Sequence, residues 1–189
     1  MITAAQSAKS LYGAWRLARF DSDGLKYFDN SLEEFWRSFH AALFVAPMIT
    51  VLVIIYLTEM NVGAGPVRIF FVEAVTYALD WIIFPFIAYY IAEFIDKGDR
   101  YLRYIAARNW AIVLQMALFL AIALLSHTGM IGKGPAVTLS IASTIMILIY
   151  QGFITKVGLE VSTRAAAAIV FLDLMIGILL NVTTNQMIQ

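Results

Sequence analysis

Apolar residues in this chain gather into five long runs that are separated by short polar segments. The runs lie at about 39–57, 69–91, 109–125, 136–153 and 165–182. Each holds about 17 to 23 residues, and an α-helix of that length, rising about 1.5 Å per residue, crosses a hydrocarbon core of about 30 Å. The pattern therefore predicts an all-α fold, a polytopic bundle of five transmembrane helices.

A polar segment, residues 1–37, precedes the predicted transmembrane domain of residues 38–189. Within it, residues 8–20 carry apolar side chains at helical spacing, with basic side chains distributed elsewhere. The residues on the apolar face are Leu11, Trp15 and Ala18. A short, basic amphipathic helix of this kind suits the headgroup region of a membrane, and that is the arrangement we expect. The alternative is a helix that packs on the protein's own cytoplasmic loops.

A second helix is predicted to begin after Ser31, because Ser31 and Glu34 have the spacing of a capping box. In that motif the serine hydroxyl accepts a hydrogen bond from the Glu34 amide, and the Glu34 side chain accepts one from the serine amide. The helix would lead past Trp36 and Phe39 into the first span, which places both rings at the membrane interface.

Basic residues are distributed very unevenly between the two sides of the predicted spans. Eleven of the thirteen fall on one side: Lys9, Arg16, Arg19, Lys26, Arg37, Lys97, Arg100, Arg103, Arg108, Lys156 and Arg164. Only Arg68 and Lys133 fall on the other. Because loops rich in Lys and Arg stay in the cytoplasm, this predicts a cytoplasmic N-terminus and a C-terminus outside. We expect the membrane to be a bacterial inner membrane.

Acidic residues inside the predicted spans are the sharpest candidates for a functional site, since each is costly in lipid unless it is paired or hydrated. Glu73, Tyr77 and Asp80 share one face of the second span, and Asp173 lies near the middle of the fifth. Since no Lys or Arg was placed at that depth, we expect these acids to lack a basic partner. With Gln115, they predict either an intramembrane proton or cation site, or a set of polar contacts between helices.

Basic and aromatic side chains near the predicted cytoplasmic surface form a second candidate site, for contact with anionic lipids. Its members are Lys9, Trp15, Arg16, Arg19, Trp36, Arg100, Arg103 and Arg108. The loop of residues 93–108 resembles a short interfacial helix. The alternative is that these charges only fix the orientation in the membrane.

Composition narrows the functional classes further. The chain is 61% hydrophobic and 14% charged, with a mean hydropathy of +0.80, which is far from a soluble domain. Its net charge of zero gives no reason to expect a nucleic-acid partner. It has no cysteine, two well-separated histidines, and none of the common nucleotide, zinc or triad signatures. We therefore expect no enzymatic activity, no cofactor and no metal site.

Two stretches resemble known membrane proteins. Residues 20–29, followed by Phe-Trp-Arg-Ser-Phe at 35–39 and by Pro47, resemble uncharacterised small inner-membrane proteins of proteobacteria. The five-span layout over residues 39–182 is similar to that of the Yip1-like family. Members of that family are linked to membrane organisation and trafficking, so the resemblance implies a role of that kind, and it carries over no site residue.

Two functions follow from the sequence. The first is a non-enzymatic membrane scaffold or accessory subunit that binds other membrane proteins, further copies of itself or lipids. The second is a small transporter or channel component that moves protons, cations or a small solute. Five spans leave few helices for a solute pathway, so a transporter would be expected to be an oligomer.

Overall fold

The computed structural model describes residues 3–59 and 63–188, and in these ranges the chain is helical with no strand. The α-helices are α1 (Ala4–Ala18), α2 (Leu32–Ser38), α3 (Ala41–Glu59), α4 (Pro66–Phe94), α5 (Tyr101–His127), α6 (Lys133–Leu159) and α7 (Thr163–Ile188). Two short 3₁₀ helices cover Ser22–Tyr27 and Gly98–Arg100. Five segments in the described ranges are long and apolar enough to cross a membrane: Leu32–Thr58, Pro66–Phe94, Gly98–His127, Lys133–Leu159 and Thr163–Ile188. The five membrane-spanning helices expected from the sequence are thus confirmed, and they indicate an integral membrane protein.

The helix starts follow local capping chemistry. Thr3 and Gln6 form a complete capping box at the start of α1. Ser31 caps α2 as predicted, since its hydroxyl accepts from the Glu34 amide at 3.1 Å. The reciprocal half of that predicted box is absent, because the buried Glu34 carboxylate pairs with Arg37 one turn further on. A turn at Phe39 then separates α2 from α3.

Helix α5 lies at the centre of the bundle. It packs against α1, α2, α3 and α6, while α7 packs against α6 and α4. Large side chains on α5 are fully buried, among them Tyr104, Ile105 and Trp110. Gly158 of α6 allows a close approach at this point, since a Cβ there would lie 3.0 Å from the Tyr104 ring. Helix α4 has its main neighbour in α7, so it is held more loosely than α5.

Hydrogen bonds show which loops share an end of the bundle. The Asn30 side chain donates to the Asp99 carbonyl at 2.6 Å, and Arg100 forms an ion pair with Glu160. The segment before α3, the loop before α5 and the loop before α7 therefore meet at one end, which we call the basic end. At the opposite end, the Ala64 amide donates to the Ile188 carbonyl at 3.2 Å. Five spans require the loops to alternate between the two ends of the bundle in this way. That the basic end is cytoplasmic stays a prediction.

Helix α1 docks on the basic end through a face made of small residues and one leucine. Ser7, Ser10, Gly13, Ala14 and Leu17 are buried, whereas Trp15 is 53% exposed. The Tyr150 hydroxyl of α6 donates to the Ala14 carbonyl at 2.7 Å, so the helix is fastened to the bundle itself. Of the predicted apolar face, Leu11 and Ala18 are partly buried against the core, and only Trp15 is exposed. The exposed side of the helix remains a predicted membrane contact.

A candidate functional site in the central cavity

One stripe along α5 brings polar groups into the middle of the bundle. Tyr104, Arg108 and Gln115 recur at helical spacing, and all three are buried. Because α5 begins at Tyr101, eight residues before the predicted span, Arg108 lies two turns inside the helix. Arg108, predicted to contact anionic lipid, is 6% exposed and lies among the helices.

Arg108 forms an ion pair with Asp173 of α7. Its Nη2 atom lies 2.9 Å from Asp173 Oδ1 and 2.8 Å from Oδ2, and only 7% of the Arg108 side chain is exposed. The guanidinium also lies over the Phe84 ring of α4, 4.0 Å from its centroid, which is a cation–π contact. The expectation that Asp173 lacks a basic partner is wrong. Arg108, which the sequence places in a loop, lies on α5 and contacts Asp173 from there.

Asp80 lies close to this pair but does not join it. It lines the same cavity as Arg108 and Asp173, and it forms no ion pair within 4.0 Å in the described part of the chain. Its side chain is exposed, unlike that of Arg108. Asp80 therefore supplies a carboxylate that the surrounding protein leaves without a counter-ion.

The three polar residues expected on one face of α4 divide between two cavities. Tyr77 borders both, and its hydroxyl donates to the Ala42 carbonyl of α3 at 2.6 Å. Glu73 lines a separate, largely apolar groove of about 450 Å³ between α3 and α4. The seven-residue spacing from Glu73 to Asp80 thus does not unite the two acids in one site.

Amide side chains from α5 and α6 complete the polar lining. Gln151 Nε2 donates to Gln115 Oε1 at 3.2 Å, and both side chains are buried. Gln115 Nε2 and Arg108 Nε are buried without a hydrogen-bond partner. A buried donor without a partner is costly, and both belong to residues that line the central cavity.

The cavity enclosed by these groups has a volume of about 270 Å³ and receives residues from all five spanning helices. Its polar members are Tyr77, Asp80, Arg108, Gln115, Gln151 and Asp173. One unpaired acid, one internal ion pair and the hydrogen-bonded amides of Gln115 and Gln151 line a space large enough for several waters. An apolar pocket with a few converging polar groups is the usual form of a binding site.

The other predicted lipid-contact residues stay at the surface or in local pairs. Trp36 is 66% exposed, and Arg19 is exposed as well. Arg16 is partly buried between α1 and the following 3₁₀ helix, 2.5 Å from Asp21. Lys9 lies 3.8 Å from Asp29 at the surface, and Arg100 pairs with Glu160. Arg103 is partly buried, and its Nε has no hydrogen-bond partner.

Sequence reasoning missed Arg108 and Gln151 as members of the cavity. A helical stripe through Tyr101, Tyr104, Arg108 and Gln115 was present in the sequence and pointed to a helix that starts earlier. No local signal joins Arg108 to Asp173, which follows it by 65 residues. Only the packing of α7 beside α4 and α6 brings the acid to the arginine.

No protein-family model, curated protein or solved structure matches this chain. The resemblances to Yip1-like proteins and to proteobacterial inner-membrane proteins therefore gain no support from relatives. What the structure supports is more general: in residues 3–59 and 63–188 the regular structure is all helical, with no strand, and five helices are able to span a membrane.

Proposed function

We propose that this integral membrane protein is a small, non-enzymatic transporter or channel component whose central cavity binds a proton, a cation or a small polar solute. The observation that carries the proposal is Asp80, an unpaired carboxylate in a cavity that all five spanning helices line. An ionisable residue inside a membrane bundle is by default a functional group, because its cost in lipid needs a compensating use.

The Arg108–Asp173 pair supports this role by fixing the charge balance beside Asp80. Arg108 is held by Asp173 at 2.8 Å and by the Phe84 ring at 4.0 Å, so it is already neutralised and positioned. Asp80 then carries the uncompensated negative charge of the cavity, which favours a cation or a proton over an anion. Gln115 Nε2 is a buried donor without a partner on the same lining, and it suits the oxygen acceptor of a polar solute.

Flux measurements in liposomes test the proposal. The purified chain is reconstituted with a pH-sensitive or potassium-sensitive dye inside, and a gradient is imposed. We expect flux for the wild type and the rate of empty liposomes for Asp80→Asn, which removes the charge and keeps the shape. Glu73→Gln is the matched control, because it removes an intramembrane acid from the same helix but from a different cavity. We expect it to keep the wild-type rate.

Two results would refute the transport role. One is the absence of any flux for a wild-type protein that is correctly folded and inserted. The other is flux that Asp80→Asn leaves intact, which would remove the central cavity from the pathway.

The groove between α3 and α4 favours a second candidate, the scaffold or accessory-subunit role. It is open, largely apolar and contains Glu73, which is partly buried and has no ion-pair partner in the described residues. A carboxyl group in a groove open to lipid is suited to a polar contact with a helix of another copy of this chain. Mass measurement in detergent tests this, since Glu73→Leu should convert an oligomer into a monomer. A wild-type protein that is already monomeric in mild detergent would argue against it.

A further inference from the structure

A second groove lies between α6 and α7 at the basic end. None of the polar residues of the central cavity line it. It has a volume of about 550 Å³, and its lining is almost entirely apolar. Gly152, Ala166 and Ala167 line it, so small residues leave room there. A Cβ added at Gly152 would meet no atom within 4 Å, which means that the space above this glycine is open.

The groove has the length of an acyl chain within one leaflet. It runs along α6 from Lys156 to Leu148, eight residues, or about 12 Å at 1.5 Å per residue. One leaflet contributes about half of a hydrocarbon core of roughly 30 Å. The groove therefore spans most of the depth of the leaflet at the basic end.

Three exposed cations line the groove or adjoin a lining residue in sequence, at the end that we call its mouth. Lys156 lines it directly, Arg164 follows the lining residue Thr163, and Arg19 precedes the lining residue Phe20. None of the three forms an ion pair within 4.0 Å in the ranges that the structure describes. The nearby acid Glu160 already forms an ion pair with Arg100. Asp21, which follows Phe20, forms an ion pair with Arg16, so both acids near the mouth are already paired and the three cations leave it net positive.

Phe20 holds an unusual backbone conformation beside this mouth. Its φ is +59°, in the left-handed region that a bulky residue rarely adopts. Its ring packs edge-on against Phe153 of α6, with the centroids 5.4 Å apart. The conformation closes the end of α1 as a Schellman motif, because the Asp21 amide donates to the Arg16 carbonyl at 3.1 Å and the Phe20 amide donates to the Leu17 carbonyl at 2.9 Å. Arg19 directly precedes this turn.

We propose that this groove binds one acyl chain of an anionic phospholipid, with Lys156, Arg19 and Arg164 contacting the phosphate. The apolar lining of the groove matches an acyl chain, and the unpaired cations match the net negative charge of the headgroup. Basic pockets between membrane helices are a known form of anionic headgroup site. A zwitterionic lipid carries its own cation, so it gains less from this mouth. The proposal does not depend on the role of the central cavity.

Native mass spectrometry of the full chain in detergent tests the proposal, with phosphatidylglycerol and phosphatidylcholine of identical acyl chains as probes. We expect one phosphatidylglycerol to be retained per chain, at least about tenfold more tightly than phosphatidylcholine, since each basic group near an anionic lipid contributes appreciably. The double variant Lys156→Gln with Arg164→Gln should lose that preference. The double variant Lys9→Gln with Lys26→Gln is the matched control: it removes the same charge from the same end but away from the groove, and should bind as the wild type does.

A substitution in the apolar lining of the groove tests the binding of the acyl chain separately. Gly152→Leu fills the open space and leaves every cation in place, so it should weaken retention of phosphatidylglycerol at least tenfold. Circular dichroism establishes that each variant is folded, and Lys156→Gln alone replaces the double variant if that one is not. Equal binding of the two lipids, or wild-type binding by Gly152→Leu, would overturn the proposal. So would displacement of the lipid by millimolar inorganic phosphate, which would indicate a site for free phosphate.

Discussion

Replacing Asp173 by asparagine tests the ion pair at the centre of the bundle. The substitution keeps the shape of the side chain and removes its charge. Arg108, of which 7% of the side chain is exposed, would then keep a buried positive charge with no acid in contact. A buried charge that loses its partner is far more costly than an exposed one, because water does not replace the lost interaction.

The magnitude follows from the distances. Two charges 2.8 Å apart attract by about 6 kcal/mol at an effective dielectric constant near 20. Loss of hydration on burial offsets part of this, and breaking a buried pair costs about 3 to 5 kcal/mol in measured cases. Asp173 is 22% exposed in its side chain, and the contact between Arg108 and Phe84 survives the change. We therefore expect Asp173→Asn to lower the free energy of unfolding by about 3 kcal/mol, the lower end of that range.

The assay is reversible unfolding of the purified chain in mixed micelles of mild detergent and dodecyl sulfate, followed by circular dichroism. Asp173→Asn, Arg108→Gln and the double variant complete a double-mutant cycle. We expect each single variant to be destabilised and the double variant to be less destabilised than the sum. Glu33→Gln is the control: it removes an exposed charge that pairs with Arg37 at the surface, and it should change the free energy of unfolding by less than about 0.5 kcal/mol. Strictly additive effects, or a loss below about 0.5 kcal/mol for Asp173→Asn, would refute the reasoning.

Three further predictions concern the docking of α1 and the topology. Gly13→Ala places a Cβ 2.7 Å from Tyr27 Cβ, so we expect it to destabilise the docked segment by about 1 to 3 kcal/mol. Trypsin should then cleave faster between α1 and α2. Gly134→Ala is the control, since the space around Gly134 is open, and it should leave the cleavage rate unchanged. The hydrogen bond from Arg16 lowers the pKa of Asp21 below its usual 3.8, so the stability it contributes is present above about pH 4 and is lost as the pH falls through the lowered pKa. Trp15 fluorescence during acid titration checks this, and a wild-type titration curve for Asp21→Asn would contradict it. Reporter fusions after Gly63, Gly98, Lys133, Gly158 and the C-terminus should read outside, inside, outside, inside and outside; a cytoplasmic C-terminus would overturn the orientation.

The number of spanning helices could be predicted from the sequence because it depends on local hydropathy alone. A run of about 20 apolar residues has one stable form in lipid, an α-helix whose backbone groups are satisfied internally. The start of α5 was harder to place. Residues 101–108 are polar enough to resemble a loop, and they become helical and buried because α1 and α2 cover them at the basic end.

The candidate site could be predicted only in part, since it depends on which helices meet. Asp80, Tyr77, Gln115 and Asp173 were predicted members, and the structure brings them to one cavity. Glu73 was predicted with them and lies in another groove, because α4 passes between two cavities along its length. The partner of Asp173 depended on helix packing, about which hydropathy says nothing.

Because the chief neighbour of α4 is α7, the order of synthesis governs when the bundle can close. Helices α5 and α6 can pack on each other as soon as both are made, whereas α4 gains its main neighbour only when α7 follows. The counter-ion of Arg108 arrives on that same last helix. A chain interrupted before α7 would leave α4 without that neighbour and Arg108 without its acid in the bilayer.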